Sequence, residues 1–374
     1  MNPKIETLTI ERFRALRQLR IEGLGRVNLI TGRNNTGKSS VLEALRIFSD
    51  ASPSVIADIL RYREEYVGES EEATRSVEGE DFAMISSLFS GFPSPGEISG
   101  PIAISTNGFG RPQRLSLSVE RVAEERLPDG TRRFVPQQAR LFPDVETQLA
   151  LIIDAEAGRR ILTLQALRRF LTRPGLSVSP WPEKPRFPCV DISPYGSEHT
   201  SELGPLWDNV ALSDREKDVV DALRIITPDV VAVSMIGGER LRRSRTAIVR
   251  TTSIPHPVPL RSFGDGLNRL FGIVLSLVNA KDGLLLIDEV ENGMHYTVQL
   301  ALWRAIFELS HRLNVQVFAT SHSWDSVESF QQAASEAPDE GVLIRLSRKG
   351  DDIIPTPFRE NELAVATRDR IEVR

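Results

Sequence analysis

Cysteine is almost missing from this chain: Cys189 stands alone, which excludes an internal disulfide and any cysteine-based metal site. Aromatic residues make up only 6%, and apart from His322 the histidines (His199, His256, His295 and His311) are scattered without metal-ligand spacing. Neither sign of charge dominates. The 46 basic and 51 acidic residues leave a net charge of −5, so the chain as a whole is not built to coat nucleic acid. Long hydrophobic runs are lacking too: those near 270–278 and 284–287 are far too short to cross a bilayer. The opening Met1-Asn2-Pro3-Lys4-Ile5-Glu6 has no apolar centre of a secretion signal. These absences predict a cytoplasmic protein with no membrane partner.

What the chain does have is a core. Its 374 residues are 40% hydrophobic and 26% charged, enough for two to three units or one large domain with an inserted lobe. It also has a complete GxxxxGK[ST] pattern, Gly32-Arg33-Asn34-Asn35-Thr36-Gly37-Lys38-Ser39, followed by Ser40. Val27-Asn28-Leu29-Ile30 reads as a buried strand before it, and Val41, Leu42, Leu45 and Phe48 share one helix face after it. The glycines let backbone N–H groups wrap phosphates, and the helix N-terminus adds partial positive charge. Lys38 can reach the β- and γ-phosphates, and Ser39 offers a hydroxyl to Mg²⁺. A nucleoside triphosphate, ATP with Mg²⁺, is the expected ligand.

The rest of the chain predicts an α/β protein in three segments. Residues 1–140 hold β structure (Ile5, Leu8, Ile10, then Leu19, Ile21, Leu24), the phosphate loop, an acidic stretch from Arg63 to Asp81, and a β-meander. The meander runs from Ile102 to Val135 through turns at Asn107-Gly108 and Pro128-Asp129-Gly130. Residues 141–226 read as a helical lobe, with Leu149, Ile152, Ile161, Leu164 and Leu167 over 145–172 taken as helical. A Pro-rich connector over 174–194 and a capping-box helix from Ser213-Asp214-Arg215-Glu216 complete that segment. Residues 227–374 return to mixed α/β, with a helical stripe from Leu267 to Val278 and buried strands at 284–287 and 315–320. A strand at 342–346 and a Lys349-Gly350-Asp351 turn follow.

Three further features bear on chemistry. The strand at 284–287 ends in Asp288-Glu289: the first acid suits Mg²⁺ binding, and the second suits a residue that orients or deprotonates water. Ser262-Phe263-Gly264-Asp265-Gly266 opens a helix and so makes a second anion site. The strand at 315–320 leads to Ser321-His322, a histidine placed to donate to a γ-phosphate. Asn279-Ala280-Lys281-Asp282 misses the guanine-reading NKxD pattern by one insertion, which disfavours a GTPase. Arg240, Arg242, Arg243 and Arg245 form a basic cluster that could contact nucleic acid phosphates or a protein.

This order of motifs resembles the ABC-type ATPases, and within them the OLD-like group of AAA-type ATPases found among bacterial anti-phage systems, related to SMC and RecF heads. The resemblance rests on Ile10-Glu11-Arg12-Phe13-Arg14, on 32–40, on 262–270 as a signature, and on Ile287-Asp288-Glu289-Val290-Glu291-Asn292-Gly293-Met294-His295. It implies a P-loop ATPase head with an antiparallel β lobe and a helical lobe. It also implies a homodimer sandwiching two ATP molecules, with possible higher oligomers. Ser262 and Gly264 would then contact the partner's γ-phosphate, Glu289 and Lys38 would serve catalysis, and His322 would be the switch histidine. His295 would face the dimer partner. The LSGGQ signature and SALD-like loop of transporter motors are missing, and no glutamine is placed for the Q-loop, Gln137 and Gln138 lying at a plausible distance. Only 52 residues follow His322, too few for a Toprim nuclease domain. The reading is an ATPase that senses or regulates for a separate effector, a nuclease or toxin, in phage defence. The alternative is a RecF- or SMC-like DNA-repair ATPase that binds DNA directly.

Overall fold

The computed structural model describes residues 3–63, 77–94, 96–108, 110–128, 130, 132–136, 147–172, 185–194, 200–224, 227–237 and 245–374. The chain opens with an antiparallel hairpin, β1 (Ile5–Phe13) and β2 (Leu16–Glu22), and enters β3 (Val27–Gly32). The phosphate loop leads into α1 (Lys38–Ser49), followed by α2 (Pro53–Tyr62) and α3 (Val77–Ser86). In α2 the Ser52 hydroxyl accepts from the Val55 N–H while Pro53 occupies the first turn, where its missing N–H costs nothing.

Next come β4 (Ile102–Gly108), β5 (Arg111–Arg126), β6 (Arg132–Pro136), β7 (Thr147–Ala155), β8 (Gly158–Thr163) and α4 (Leu164–Thr172). A four-residue strand, β9 (Cys189–Ile192), precedes α5 (Thr200–Asp208), α6 (Glu216–Arg224), β10 (Val230–Ile236), β11 (Thr246–Thr251) and β12 (Val258–Pro259). A 3₁₀ turn at Leu260–Phe263 then delivers α7 (Asp265–Asn279). The chain ends with β13 (Leu284–Ile287), α8 (Tyr296–Arg312), β14 (Gln316–Thr320), α9 (Trp324–Ser335), β15 (Gly341–Lys349), β16 (Asp352–Phe358) and α10 (Glu360–Arg368).

Among the described residues the strands form three sheets. The central one has the order β16-β15-β3-β14-β13-β9, parallel except at the β15–β16 hairpin. In its middle, β3, β14 and β13 are buried along their whole length, and β13 reads as a continuous apolar run because both its faces are covered. Alternation sorts the side chains: Leu285, Ile287, Val317, Ala319, Val27 and Leu29 join a core built with α5 to α10. Leu284, Leu286, Phe318 and Ile30 join the opposite core, shared with α1 to α4 and the antiparallel sheet β2-β1-β4-β5-β7-β8. The antiparallel β lobe is therefore present. Gln316 stitches it to the central sheet, its carboxamide exchanging hydrogen bonds with both the N–H and C=O of Ile5 at 2.8 Å.

Three expectations about the middle of the chain are corrected. The stretch 145–172 is not a continuous helix but β7, β8 and α4. In β7, Leu151 and Ile153 face the large core while Ala150 and Ile152 join Val122 in a small one, so both faces are apolar and the period of two is hidden. The Pro-rich connector contains β9, which extends the central sheet beside β13. The capping-box helix begins at Glu216, whose carboxylate accepts from the Leu212 N–H rather than from Ser213.

Candidate nucleotide site

Buried β3, flanked in parallel by β14 and β15, ends at the glycine loop that opens α1. Gly37 caps that helix at φ 84°, where a side chain is strained, and a Cβ there would lie 2.7 Å from Leu16 Cδ2. Across the loop, Lys38 Nζ donates to the carbonyls of Gly32 (2.7 Å) and Arg33 (3.1 Å), and the Thr36 hydroxyl donates to Arg33 O at 2.8 Å. Burial pulls the Lys38 ammonium below its ordinary pKa, while Asp288, Glu289 and Glu291 oppose the shift. The lysine thus faces all three acids that follow β13.

Those acids are held with some care. The Thr320 hydroxyl, at the end of β14, donates to Asp288 Oδ1 and accepts from the Glu289 N–H (2.8 Å). Glu289 adopts φ 50°, an uncommon conformation for a glutamate whose cost is on the order of 1–3 kcal/mol. Its carboxylate accepts from Asn292 Nδ2 at 2.6 Å and lies 3.6 Å from His322 Nε2. His322 is itself anchored through its N–H to Glu291 Oε1 at 3.0 Å. From α7 the buried Arg269 guanidinium donates to the carbonyls of Asp288 (3.4 Å) and Glu289 (3.3 Å). Asp288, Glu289 and His322 therefore lie together at the ends of two adjacent parallel strands, the two acids joined by hydrogen bonds through Thr320.

A cleft of about 580 Å³ spans this edge and the loop. It is lined by Asn34, Asn35, Thr36, Gly37, Lys38, Ser39, Ser40, Asp288, Glu289 and His322, as the sequence predicts for one site. Gly32 contributes its carbonyl beneath Lys38. The volume falls within the roughly 300–1,000 Å³ of small-molecule sites. Sequence reading missed much of the remaining wall: Arg14, Arg17, Arg63, Ser87, Ser90, Phe92, Arg348 and Asp351. Glu43 on α1 pairs with Arg14 at 2.5 Å and with Arg63 at 2.6 Å, and Arg17 pairs with Asp351 at 2.9 Å. No local pattern gathers these residues. Thr320 did carry a signal, as a polar residue closing an apolar strand two positions before the histidine.

The donor set suits Mg²⁺, which takes few protein oxygens and keeps its waters. Ser39 and Asp288 together line a second, smaller recess as well, with Ser193 across from them. Among the described residues no group of three or more His, Cys, Asp or Glu side chains could hold a metal. Ser193 stands there because β9 runs parallel to β13, the Asp288 N–H donating to Ile192 O at 2.9 Å. A serine and a proline, not a glutamine, thus follow the strand next to Asp288.

Other predicted residues lie elsewhere. Ser262 and Gly264 are exposed at the start of α7, outside the cleft, and a Cβ on Gly264 would meet nothing within 4 Å. His295 caps α8 through Thr297 and stacks on the exposed Tyr296 at 4.3 Å. Arg240, Arg242 and Arg243 lie outside the described residues, as do Gln137, Gln138 and His199. Arg245, read as one of a cluster that contacts nucleic acid phosphates or a protein, is engaged by the Asp208 carboxylate and by Gly204 O at 3.4 Å. No helix among the described residues is long and apolar enough to cross a membrane.

The chain is similar to several known proteins. An ATP/GTP phosphatase of Helicobacter pylori is 25% identical, the alignment covering 96% of each chain. An uncharacterized protein of Methanocaldococcus jannaschii is 49% identical over 59 residues, 15% of this chain and 27% of that one. Among solved structures, an SmcHead bound to the C-winged helix domain of ScpA superposes with a TM-score of 0.49 at 13% identity, covering 96% of this chain and 98% of that one. The SMC head domain from Thermotoga maritima gives 0.45 at 15%, covering 95% and 99%. The fold is mixed α/β with an added antiparallel sheet, and the phosphate loop joins β3 to α1 as in a P-loop NTPase. The family model described as "AAA domain, putative AbiEii toxin, Type IV TA system" matches residues 27–327, and the chain belongs to that family.

Proposed function

We propose that the chain is an ATPase: it binds ATP with Mg²⁺ in the cleft and hydrolyses it to ADP and phosphate. The observation that carries this reading is the convergence of Lys38, Ser39, Asp288, Glu289 and His322 on one cleft from three parallel strands. The loop N–H groups and Lys38 hold the β- and γ-phosphates, whose oxygens compete with the Gly32 and Arg33 carbonyls for the ammonium. Ser39 and Asp288 would hold Mg²⁺, which when bound neutralises charge on the phosphate oxygens. Glu289, fixed by Thr320 and Asn292, orients the attacking water and accepts its proton. His322 donates to the γ-phosphate and, 3.6 Å from Glu289, registers its loss.

The exposed start of α7 supports a head-to-tail dimer in which Ser262 and Gly264 of each subunit complete the partner's site. By the same resemblance we place the chain near the OLD-like ATPases, as sensor or regulator for a separate nuclease or toxin in anti-phage defence. The segments 1–140, 141–226 and 227–374 are kept as proposed units, the middle one now mixed α/β. Direct DNA binding gains no support from Arg245, which Asp208 engages. The test is Glu289→Gln, which keeps size and hydrogen bonding but removes the charge. Phosphate release should fall by about 10²–10⁴-fold while ATP affinity survives. Unchanged turnover would remove Glu289 from the mechanism, and a wild type that neither binds nor hydrolyses ATP would remove the whole reading.

A further inference from the structure

Large apolar side chains are buried almost everywhere in the described chain, with few exceptions. One of the most exposed is Phe92, 71% accessible, and it sits on the wall of the nucleotide cleft. Its backbone is held at φ 51°, next to Gly91 at φ 86°, an arrangement that strains a phenylalanine. Exposure and strain together mark a side chain positioned for something outside the chain's own core.

The loop that presents Phe92 is fastened to the β1–β2 turn. The Arg14 N–H donates to Leu88 O (2.9 Å), the Ser90 N–H to Arg12 O (3.1 Å), and Phe13 bridges to Phe89. Phe92 itself closes the loop by donating its N–H to Phe89 O at 3.4 Å. The same turn carries Leu16, which lies against Gly37 of the phosphate loop. Phe92 is thus tied, through β1–β2, to the place where the phosphates are bound. The polar wall beside it is occupied with itself: Arg17 holds Asp351, and the Ser90 hydroxyl donates to Leu16 O at 3.4 Å.

We propose that Phe92 is the stacking platform for the base of the bound purine nucleoside triphosphate, and that the base is recognised by its face rather than by its edge. This rests on the reading of the cleft as a triphosphate site. An aromatic ring in a cleft lined mainly by charged and polar groups has one natural partner in a nucleotide, the flat apolar base. Stacking of this kind tolerates any base, because each offers a π-face. The site should therefore accept adenine and guanine alike.

The experiment measures equilibrium binding of ATP, GTP, ADP and inorganic tripolyphosphate to the full chain with Mg²⁺, for wild type, Phe92→Ala and Phe92→Tyr. Phe92→Ala should weaken ATP, GTP and ADP in parallel by about 5- to 100-fold, the range of base stacking on an aromatic ring. Tripolyphosphate, which has no base, should change less than about two-fold, and Phe92→Tyr should restore nucleotide binding. Three results would overturn the proposal: unchanged nucleotide affinity in Phe92→Ala, equal weakening of tripolyphosphate, or a loss confined to ATP and GTP with ADP spared. The last would assign Phe92 to a contact between subunits. A wild type that binds tripolyphosphate but shows no gain from a nucleoside sinks this proposal alone, whereas one that binds neither sinks the triphosphate reading beneath it.

Discussion

Around the phosphate loop the polar groups hold one another, whereas at the start of α7 they face outward. Lys38 is caught by two carbonyls, Asp288 and Glu289 share one threonine hydroxyl, and Glu289 is fixed again by Asn292. Ser262 and Gly264, by contrast, are exposed, and the nearby Arg261–Asp265 pair at 3.4 Å is a surface contact of small energetic weight. The first region is ordered from within the chain. The second presents an exposed helix start with a serine hydroxyl beside it. The two are nevertheless joined, because Arg269 of the same helix grips the carbonyls of both acids. A residue one turn into α7 thus contacts the turn that carries Asp288 and Glu289.

The largest effect that could break this contrast comes from mixing two crippled chains. Ser262→Arg puts a bulky cation where a neighbour's γ-phosphate should dock, so it should abolish hydrolysis and leave ATP binding intact. Lys38→Ala should weaken binding itself. In the proposed head-to-tail dimer the two lesions fall in different halves of a shared site, so a mixed dimer should hold one intact site and regain activity. Mixed dimers that form yet stay inactive would mean that α7 serves no neighbour and that the site is complete within one chain.

Next in size is the loss of the threonine that holds both acids. Thr320→Val keeps the shape but removes the donor to Asp288 and the acceptor for Glu289 N–H, both partly buried, at a cost of about 1 kcal/mol. Turnover should drop by about ten-fold through misplacement of Glu289, about 1.4 kcal/mol in the barrier. Thr320→Ser should stay near wild type in both respects. If Thr320→Val lowers thermal stability while turnover per folded molecule is unchanged, the threonine is structural and does not position the acids. The ordered half of the site would then owe its geometry to Arg269 and Asn292.

The same contrast explains what could be read in the sequence. Phosphate loop, Asp288-Glu289 and His322 were legible because each lies at the end of a strand buried on both faces, which leaves a short, mostly apolar segment before the motif. The strand β9 was not: four residues long and set in a Pro-rich stretch, it gains its structure from distant pairing with β13. In β7 two apolar faces erased the alternation that marks a strand, and the three-residue spacing of Leu149 and Ile152 imitated a helix. The arginines of the cleft wall and Phe92 come from loops brought together only by the fold. Sequence order told which motifs exist, and tertiary pairing told what stands beside them.

The smallest effect concerns Cys189, at the start of β9 and in register with Leu284 of β13. Burial, with the carboxylates of Asp191 and Asp50 adding to it, pushes its thiol from 9.0 up to about 12, only partly offset by a hydrogen bond from Ser49 and by Arg46. Between these two values the unfolded chain releases this proton and the folded chain keeps it. The contribution of Cys189 to stability is therefore present below the ordinary thiol range and declines as pH rises through it. Over most of the chain that decline is masked by other groups, but thiol chemistry reports it directly. At a pH below the ordinary thiol value the folded protein should hold about 10³-fold less thiolate than the urea-unfolded chain, and iodoacetamide should alkylate it correspondingly more slowly. ATP should not alter the native rate, since β9 belongs to the half of the site that is already ordered. Equal alkylation of native and unfolded protein would show that this edge of the sheet opens freely, and acceleration by ATP would move β9 from the fixed half of the comparison to the half that responds to ligand.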